Sequence, residues 1–218
     1  MIIIFDLDGT LINTISDLGQ ACNHALAACG FPTHEIEAYP RLVGNGINKL
    51  IERALPEEHR NEETVLRLRE YFVPYYDEHN CDLTHPYDGI PELLREIKEQ
   101  GHLLAVASNK YQAATEKIVT QLFPGIFDVV LGERENVARK PDPQIVYDIV
   151  ATLDSRHEIL NCLYIGDSLV DAETAKASNC ELVLCTWGFG TEEQLLTANP
   201  DHLIHHPAEI LHIINNWK

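Results

Sequence analysis

The sequence predicts an α/β protein, a doubly wound parallel sheet interrupted by an inserted α-helical domain. Three observations carry that prediction. Short runs at Ile2–Phe5, Leu103–Ala107, Asp128–Leu131, Cys162–Ile165 and Leu182–Cys185 are mostly apolar on both faces and end in Gly, Asp, Ser or Thr, as buried parallel strands do. Between them, Ile90–Glu99, Tyr111–Gln121, Pro143–Leu153 and Val170–Ser178 carry apolar residues at helical spacing. Strand–helix alternation of this kind builds a sheet with helices on both faces. From about Ile15 to Asp82 the alternation stops, and only helical patterns follow, at Asp17–Cys29, Asn45–Leu55 and Glu62–Glu78.

Each element has a local cause. The first strand is a block of aliphatic residues and Phe5 that stops at Asp6. The helix over 90–99 starts at Gly89-Ile90-Pro91, with proline near its first turn, and Gly101 ends it, the usual asymmetry of helix ends. The predicted domains are a core of residues 1–14 and 83–218 and a helical insert of residues 15–82. A chain of 218 residues with 45% hydrophobic content can bury such a core.

The net charge is −18, from 34 acidic and 16 basic residues. Nucleic acid and anionic membrane are therefore not expected partners, because both would be repelled. If the substrate is anionic, positive charge has to be concentrated in the site. The six cysteines form no CxxC pair, which argues against a zinc ribbon or a dithiol motif. Met1 leads directly into a short apolar run without a basic flank, so no export signal is expected. Reduced thiols in a cytoplasmic protein are the plain reading. His202, His205 and His206 are read as solvated loop residues rather than metal ligands.

Four short motifs fall at strand ends, where open parallel sheets bind ligands. Asp6-Leu7-Asp8-Gly9-Thr10 follows the first strand, with two carboxylates and a glycine that permits a sharp turn. Read alone, it is equally a polar strand exit. Ser108-Asn109-Lys110 offers a hydroxyl and an amide to phosphate oxygens, or a helix cap. Arg139-Lys140-Pro141-Asp142-Pro143 has two prolines following the lysine, which stiffen its backbone. It suits phosphate as a compact charge, or belongs to a solvated loop. Gly166-Asp167-Ser168-Leu169-Val170-Asp171 places two carboxylates four apart, on one face if a helix begins there. Acidic residues in a first turn are also common for dipole reasons alone.

Taken in order, DxDGT, Ser-Asn, Lys-Pro and GDxxxD resemble the four-motif signature of the haloacid dehalogenase superfamily over Asp6 to Asp171. The string Asp6–Leu11, the helical insert, Val43-Gly44-Asn45-Gly46 and Thr186-Trp187-Gly188-Phe189-Gly190 resemble phosphoglycolate phosphatases within it. Asn13-Thr14 departs from the Asp-Ser those relatives carry, which weakens transfer of the exact substrate.

The resemblance implies a Rossmann-like catalytic core and a helical cap. It implies a phosphatase acting on a small phosphate monoester, phosphoglycolate-like, with Mg²⁺. Asp6 would be the nucleophile that becomes an aspartyl phosphate, and Asp8 the general acid and then the general base. Ser108 and Lys140 would grip the phosphoryl oxygens. Metal ligands would be the Asp6 carboxylate, the Asp8 carbonyl and Asp167. Asp171 would act directly, through water, or by holding Lys140. Thr10 and Asn109 would help position the phosphate or the nucleophile. In the cap, Arg41, Gly44, Asn45 and Gly46 are candidates for reading the substrate, or are an ordinary helix start beside a surface arginine. Trp187 is read as structural.

A β-phosphoglucomutase-like isomerase, a pyrophosphatase or a nucleotidase shares the same motifs, and Thr10 leans toward phosphatase. A carbon–halogen hydrolase needs neither Asp8 nor a metal. A phosphate-binding module without catalysis would not need the full set of chemical groups. The oligomeric state, monomer or dimer, is left open.

Overall fold

The computed structural model describes residues 1–153 and 162–217. The chain folds as two compact units, Met1–Ile12 with Pro86–Lys218, and Asn13–His85.

The first unit is built on strand β1 (Ile2–Phe5), every residue of which is buried. After the short β2 (Ile12–Asn13) and β3 (His85–Pro86), which pair with each other, come β4 (Leu103–Tyr111), β5 (Val129–Glu133), β6 (Cys162–Gly166), β7 (Glu181–Cys185) and β8 (His202–Ile204). The sheet order is β5-β4-β1-β6-β7-β8, and all its pairings are parallel. β1 lies between β4 and β6, with Ile2–Phe5 opposite Leu103–Val106 on one side and Cys162–Ile165 on the other. The chain winds outward to β5, then crosses back to β6 and winds the other way. The crevice of such a sheet opens at the carboxyl end of the strand where winding reverses, here at Asp6.

Both sheet faces are covered. Ile2, Ile4, Ala105, Ala107, Tyr164, Leu182 and Leu184 share one cluster with α6 (Gln144–Leu153) and α7 (Leu169–Ala177), through Val146, Ile149, Ala172 and Ala175. The alternate residues Ile3, Phe5, Val106, Ile165 and Val183 are fully buried too, as the two-residue side-chain period requires of a sheet covered on both sides. Phe5 meets Phe127 edge to face there. Each large aliphatic side chain so buried contributes roughly 1.5–3 kcal/mol.

The strands differ from the sequence expectation in several places: β2 and β3 were not expected, β5 runs two residues further, to Glu133, and β4 and β8 differ as follows. β4 runs on past Ala107 to Tyr111, with a register shift between those residues. The polar side chains of 108–110 are buried here, so the end of the apolar run did not mark the end of the strand. β8 was not expected, because its three residues between Asp201 and His205 form no apolar run. Asp201 anchors this edge by accepting from Leu182 N at 2.8 Å.

The second unit holds α1 (Ile15–Ala28), a 3-10 turn at Ile36–Arg41, α2 (Ile47–Ala54) and α3 (Glu62–His79). α1 packs on α3. The small residues Ala21, Cys22 and Ala25 and the bulky Leu68, Phe72 and Tyr76 are buried in this unit. Asp17 is also buried, and its carboxylate accepts from Leu83 N, Thr84 N and Thr84 Oγ1 at 2.7–3.1 Å. It ties the start of α1 to the returning chain.

Candidate active site

Asp6 continues the ladder beyond β1, its N–H donating to Ile165 O at 2.8 Å. The chain then turns, with Leu11 N and Ile12 N donating to Leu7 O at 3.0 and 3.1 Å. Gly9 has φ +93°, and a Cβ there would lie 2.2 Å from Asp167 Oδ2. The turn brings backbone against a carboxylate at a distance that glycine alone permits.

Lys140 stands at the centre of the site and is almost fully buried. Its Nζ donates to Asp6 Oδ1 at 2.8 Å, Asp171 Oδ1 at 2.8 Å, Ala107 O at 2.8 Å and Tyr164 Oη at 3.1 Å. Its backbone is held by Asn109, which donates from Nδ2 to Lys140 O at 3.1 Å and accepts from Lys140 N at 3.0 Å. Burial disfavours the lysine charge, but Asp171 and Asp6 outweigh it and hold the Lys140 pKa well above its ordinary value.

The GDxxxD segment is not a single helical face. α7 begins at Leu169 with Ser168 as its N-cap, so Asp167 lies in the strand exit before the helix. Asp171 serves two purposes at once. Its Oδ2 accepts from Ser168 Oγ at 2.5 Å and Ser168 N at 3.2 Å in a capping box, while Oδ1 faces Lys140. Asp167 Oδ1 accepts from Thr10 Oγ1 at 3.0 Å, and Oδ2 from Phe189 N at 2.7 Å. The side chains of Thr10 and Asn109 are thus engaged with Asp167 and Lys140.

Ser108 and Asn109 do not cap a helix. They lie inside β4, and α5 (Gln112–Leu122) follows an N-cap at Tyr111 without a side-chain cap. Ser108 Oγ accepts from Lys110 N at 3.1 Å. Lys110 Nζ in turn lies 3.1 Å from Asp8 Oδ1.

Sequence reasoning gave no role to Lys110, Tyr164 or Ser168, and it had the loop after β7 only as a family string with a structural Trp187. Lys110 stood beside two assigned residues. Tyr164 stood in an otherwise aliphatic strand, where a buried hydroxyl requires a partner. After β7, Trp187 Nε1 donates to Thr10 O at 3.0 Å, in keeping with the structural reading of Trp187. A Cβ at Gly188 would lie 2.4 Å from Asp167 Cβ, Asp167 Oδ2 and Gly9 O.

Asp6, Asp167 and Asp171 each offer a carboxylate oxygen within 4.8 Å of the others, and all three are buried. Burial, then Asp171, pushes the Asp167 pKa up to about 7. Burial, then Asp171, likewise raises Asp6 well above the carboxylate range against the pull of Lys140. One ammonium does not offset three buried carboxylates. An all-oxygen donor set short of positive charge fits a hard divalent cation such as Mg²⁺. Among the described residues, this is the one such cluster. His202 pairs instead with Glu181, and His205 with Thr186. All six cysteines are free.

In the second unit, Arg41 is exposed at the end of the 3-10 turn. Gly44 and Gly46 have φ +115° and +79°, and Gly46 is the N-cap of α2. Arg53 pins this loop, donating to Leu42 O at 2.9 Å, Val43 O at 3.0 Å and Asn45 Oδ1 at 2.6 Å. The segment leads into α2, and Arg53 ties its carbonyls and the Asn45 amide together.

Comparison with known proteins agrees with this geometry. Residues 3–185 match the family model described as haloacid dehalogenase-like hydrolase. The chain belongs to that family. It is 32% identical to a phosphoglycolate phosphatase of Mesorhizobium japonicum, over 94% of this chain and 90% of that one. With a phosphoglycolate phosphatase of Aquifex aeolicus the identity is 30%, over 99% and 97%. A predicted phosphoglycolate phosphatase of Haemophilus somnus superposes with a TM-score of 0.89 at 29% identity, covering 98% and 97% of the two chains. CbbY of Rhodobacter sphaeroides, solved in complex with phosphate, gives 0.75 at 25% identity over 96% and 95%. Family and relatives together define a phosphatase, a phosphoric monoester hydrolase.

Proposed function

We propose that the chain hydrolyses a small carboxylated phosphate monoester, phosphoglycolate-like, through a phosphorylated Asp6 and with Mg²⁺. The observation that carries this reading is Lys140 Nζ bonded at 2.8 Å to both Asp6 Oδ1 and Asp171 Oδ1, at the switch point of the sheet. The residues Asp6, Asp167 and the Asp8 carbonyl would hold Mg²⁺, which when bound neutralises phosphoryl and carboxylate charge.

Asp6 attacks phosphorus in line while the ester oxygen leaves. Asp8 gives that oxygen a proton, then takes one from the water that cleaves the acyl phosphate. Lys140 and Ser108 stabilise charge on the transferring oxygens. Thr10, Asn109 and Asp171 act one step back, by orienting Asp167 and Lys140. Arg41 and the Gly44–Gly46 turn are the candidates for reading the carboxylate, an ion-pair contact suited to arginine.

The test is release of inorganic phosphate from 2-phosphoglycolate and a panel of small esters, with Mg²⁺ and with excess EDTA. Preference for 2-phosphoglycolate and loss of activity in EDTA support the reading. Full activity in EDTA overturns the metal, and equal rates on neutral esters overturn the carboxylated substrate. No phosphate release from any ester overturns the whole reading.

A further inference from the structure

Lys110 lies outside every role given above, yet its surroundings are built. β4 changes register between Ala107 and Tyr111, and irregularities of this kind re-aim side chains beside active sites. The Lys110 backbone is fixed on each side. Its N–H donates to Ser108 Oγ at 3.1 Å, and its carbonyl accepts from Thr115 Oγ1 at 3.1 Å. That carbonyl lies 2.5 Å from where a Cβ on Gly132 would sit, so glycine at 132 makes room for it. The Lys110 side chain is 4% exposed and its Nζ is 3.1 Å from Asp8 Oδ1, on a carboxylate whose side chain is 21% exposed. A buried ammonium delivered by a locked backbone to one oxygen of a more open carboxylate restricts how that carboxylate can turn.

We propose that Lys110 is a positioning residue for Asp8, holding its carboxylate in the one orientation that serves proton transfer to and from the ester oxygen and the water. Lysine at 110 does this through its ion pair with Asp8, and it is a separate cation from Lys140, which holds Asp6. The proposal rests on the acid–base role given to Asp8 above.

A double-mutant cycle separates the two ideas. Lys110→Met keeps the length of the side chain and removes its charge. Lys110→Arg keeps the charge, and Asp8→Asn removes the acid. With an alkyl phosphate, Lys110→Met lowers kcat by on the order of 10- to 100-fold with KM changed less than about threefold, the scale expected when a catalytic group is misplaced but present. In the Asp8→Asn background the same change costs less than about twofold, because residues that act through one another are not additive. Lys110→Arg recovers most of the loss. With para-nitrophenyl phosphate, whose leaving group needs little protonation, the first-turnover burst rate is nearly unaffected by Lys110→Met. A raised KM at constant kcat would make Lys110 a substrate-binding residue and overturn the proposal. So would a full Lys110→Met loss in the Asp8→Asn background, or an equal loss in the burst with both leaving groups, since either marks a general structural effect. If Asp8→Asn alone leaves kcat unchanged, the acid–base role of Asp8 fails first and the proposal falls with it. If Lys110→Met does not fold, Lys110→Gln carries the same cycle.

Discussion

Asn109 grips the backbone of Lys140 with both ends of its amide, donating to the carbonyl at 3.1 Å and accepting from the N–H at 3.0 Å. The lysine that joins Asp6 to Asp171 is therefore aimed from a neighbouring strand rather than by its own loop alone. Asn109→Ala leaves a buried N–H and C=O without partners, at a cost of about 1–3 kcal/mol. It also frees the Lys140 ammonium to drift from Asp6. The expected outcome is a lower urea midpoint together with a kcat reduced by roughly tenfold or more. A variant that loses stability but keeps wild-type kcat would show that the clamp serves folding only.

Gly188 and Gly30 separate crowding at the site from backbone strain elsewhere. An alanine Cβ at 188 meets Asp167 and the Gly9 carbonyl at 2.4 Å, whereas at Gly30, with φ +78°, it meets nothing within 4 Å. Gly188→Ala should displace Asp167 and cost about 1–3 kcal/mol by overpacking. Gly30→Ala should cost about 1–2 kcal/mol by left-handed strain alone. The expected readout is a raised Mg²⁺ requirement for half-maximal activity in Gly188→Ala and an unchanged one in Gly30→Ala, measured beside thermal unfolding. Equal Mg²⁺ requirements in both variants would remove the loop after β7 from the site.

The sequence carried the strands and helices of the core because their cause is local, in apolar runs cut by polar residues. It carried Asp6, Asp167 and Lys140 as a set because their motifs recur in fixed order at strand ends. What it could not carry is what each polar atom touches. Asp171 was open between metal, water and Lys140, and only its geometry places Oδ1 on Lys140 and Oδ2 on Ser168. The end of β4 was hidden because Ser108, Asn109 and Lys110 are buried polar residues, paired through partners 31 residues away in one case. Gly188 and Phe189 were visible only as a family string, since their contact with Asp167 spans more than 20 positions.

Arg53 bears on substrate reading. It holds Leu42, Val43 and Asn45 by three hydrogen bonds from one guanidinium, and fixes a turn in which Gly44 and Gly46 both have positive φ. If that turn and Arg41 read the substrate carboxylate, Arg53→Met and Arg41→Ala should each raise KM for 2-phosphoglycolate more than for a neutral alkyl phosphate. A charge-assisted contact contributes about 1.5–3 kcal/mol, or roughly tenfold to a hundredfold in KM. Loss of affinity to the same degree for both esters would remove this segment from recognition and leave it the entry to α2.

Asp8→Asn tests the two-step scheme itself. The change removes the titrating proton but keeps side-chain size, the backbone carbonyl proposed for Mg²⁺, and an oxygen able to face Lys110. Fold and metal requirement should survive. An alkyl phosphate has a leaving group that needs protonation, so its turnover should fall by roughly 10²–10⁴-fold, the usual contribution of a positioned acid or base. Para-nitrophenolate leaves without that help, so phosphoryl transfer to Asp6 should proceed while hydrolysis of the acyl phosphate, now without a base, becomes slow. A burst of nitrophenol approaching one equivalent per site should then precede slow turnover. Acid quenching during the burst should trap phosphate on the protein, and Asp6→Asn in the same background should abolish the label. Equal slowing of both leaving groups, with no burst and no trapped phosphate, would mean that Asp8 orients or solvates the site and that a phosphorylated Asp6 lacks its proton donor and acceptor.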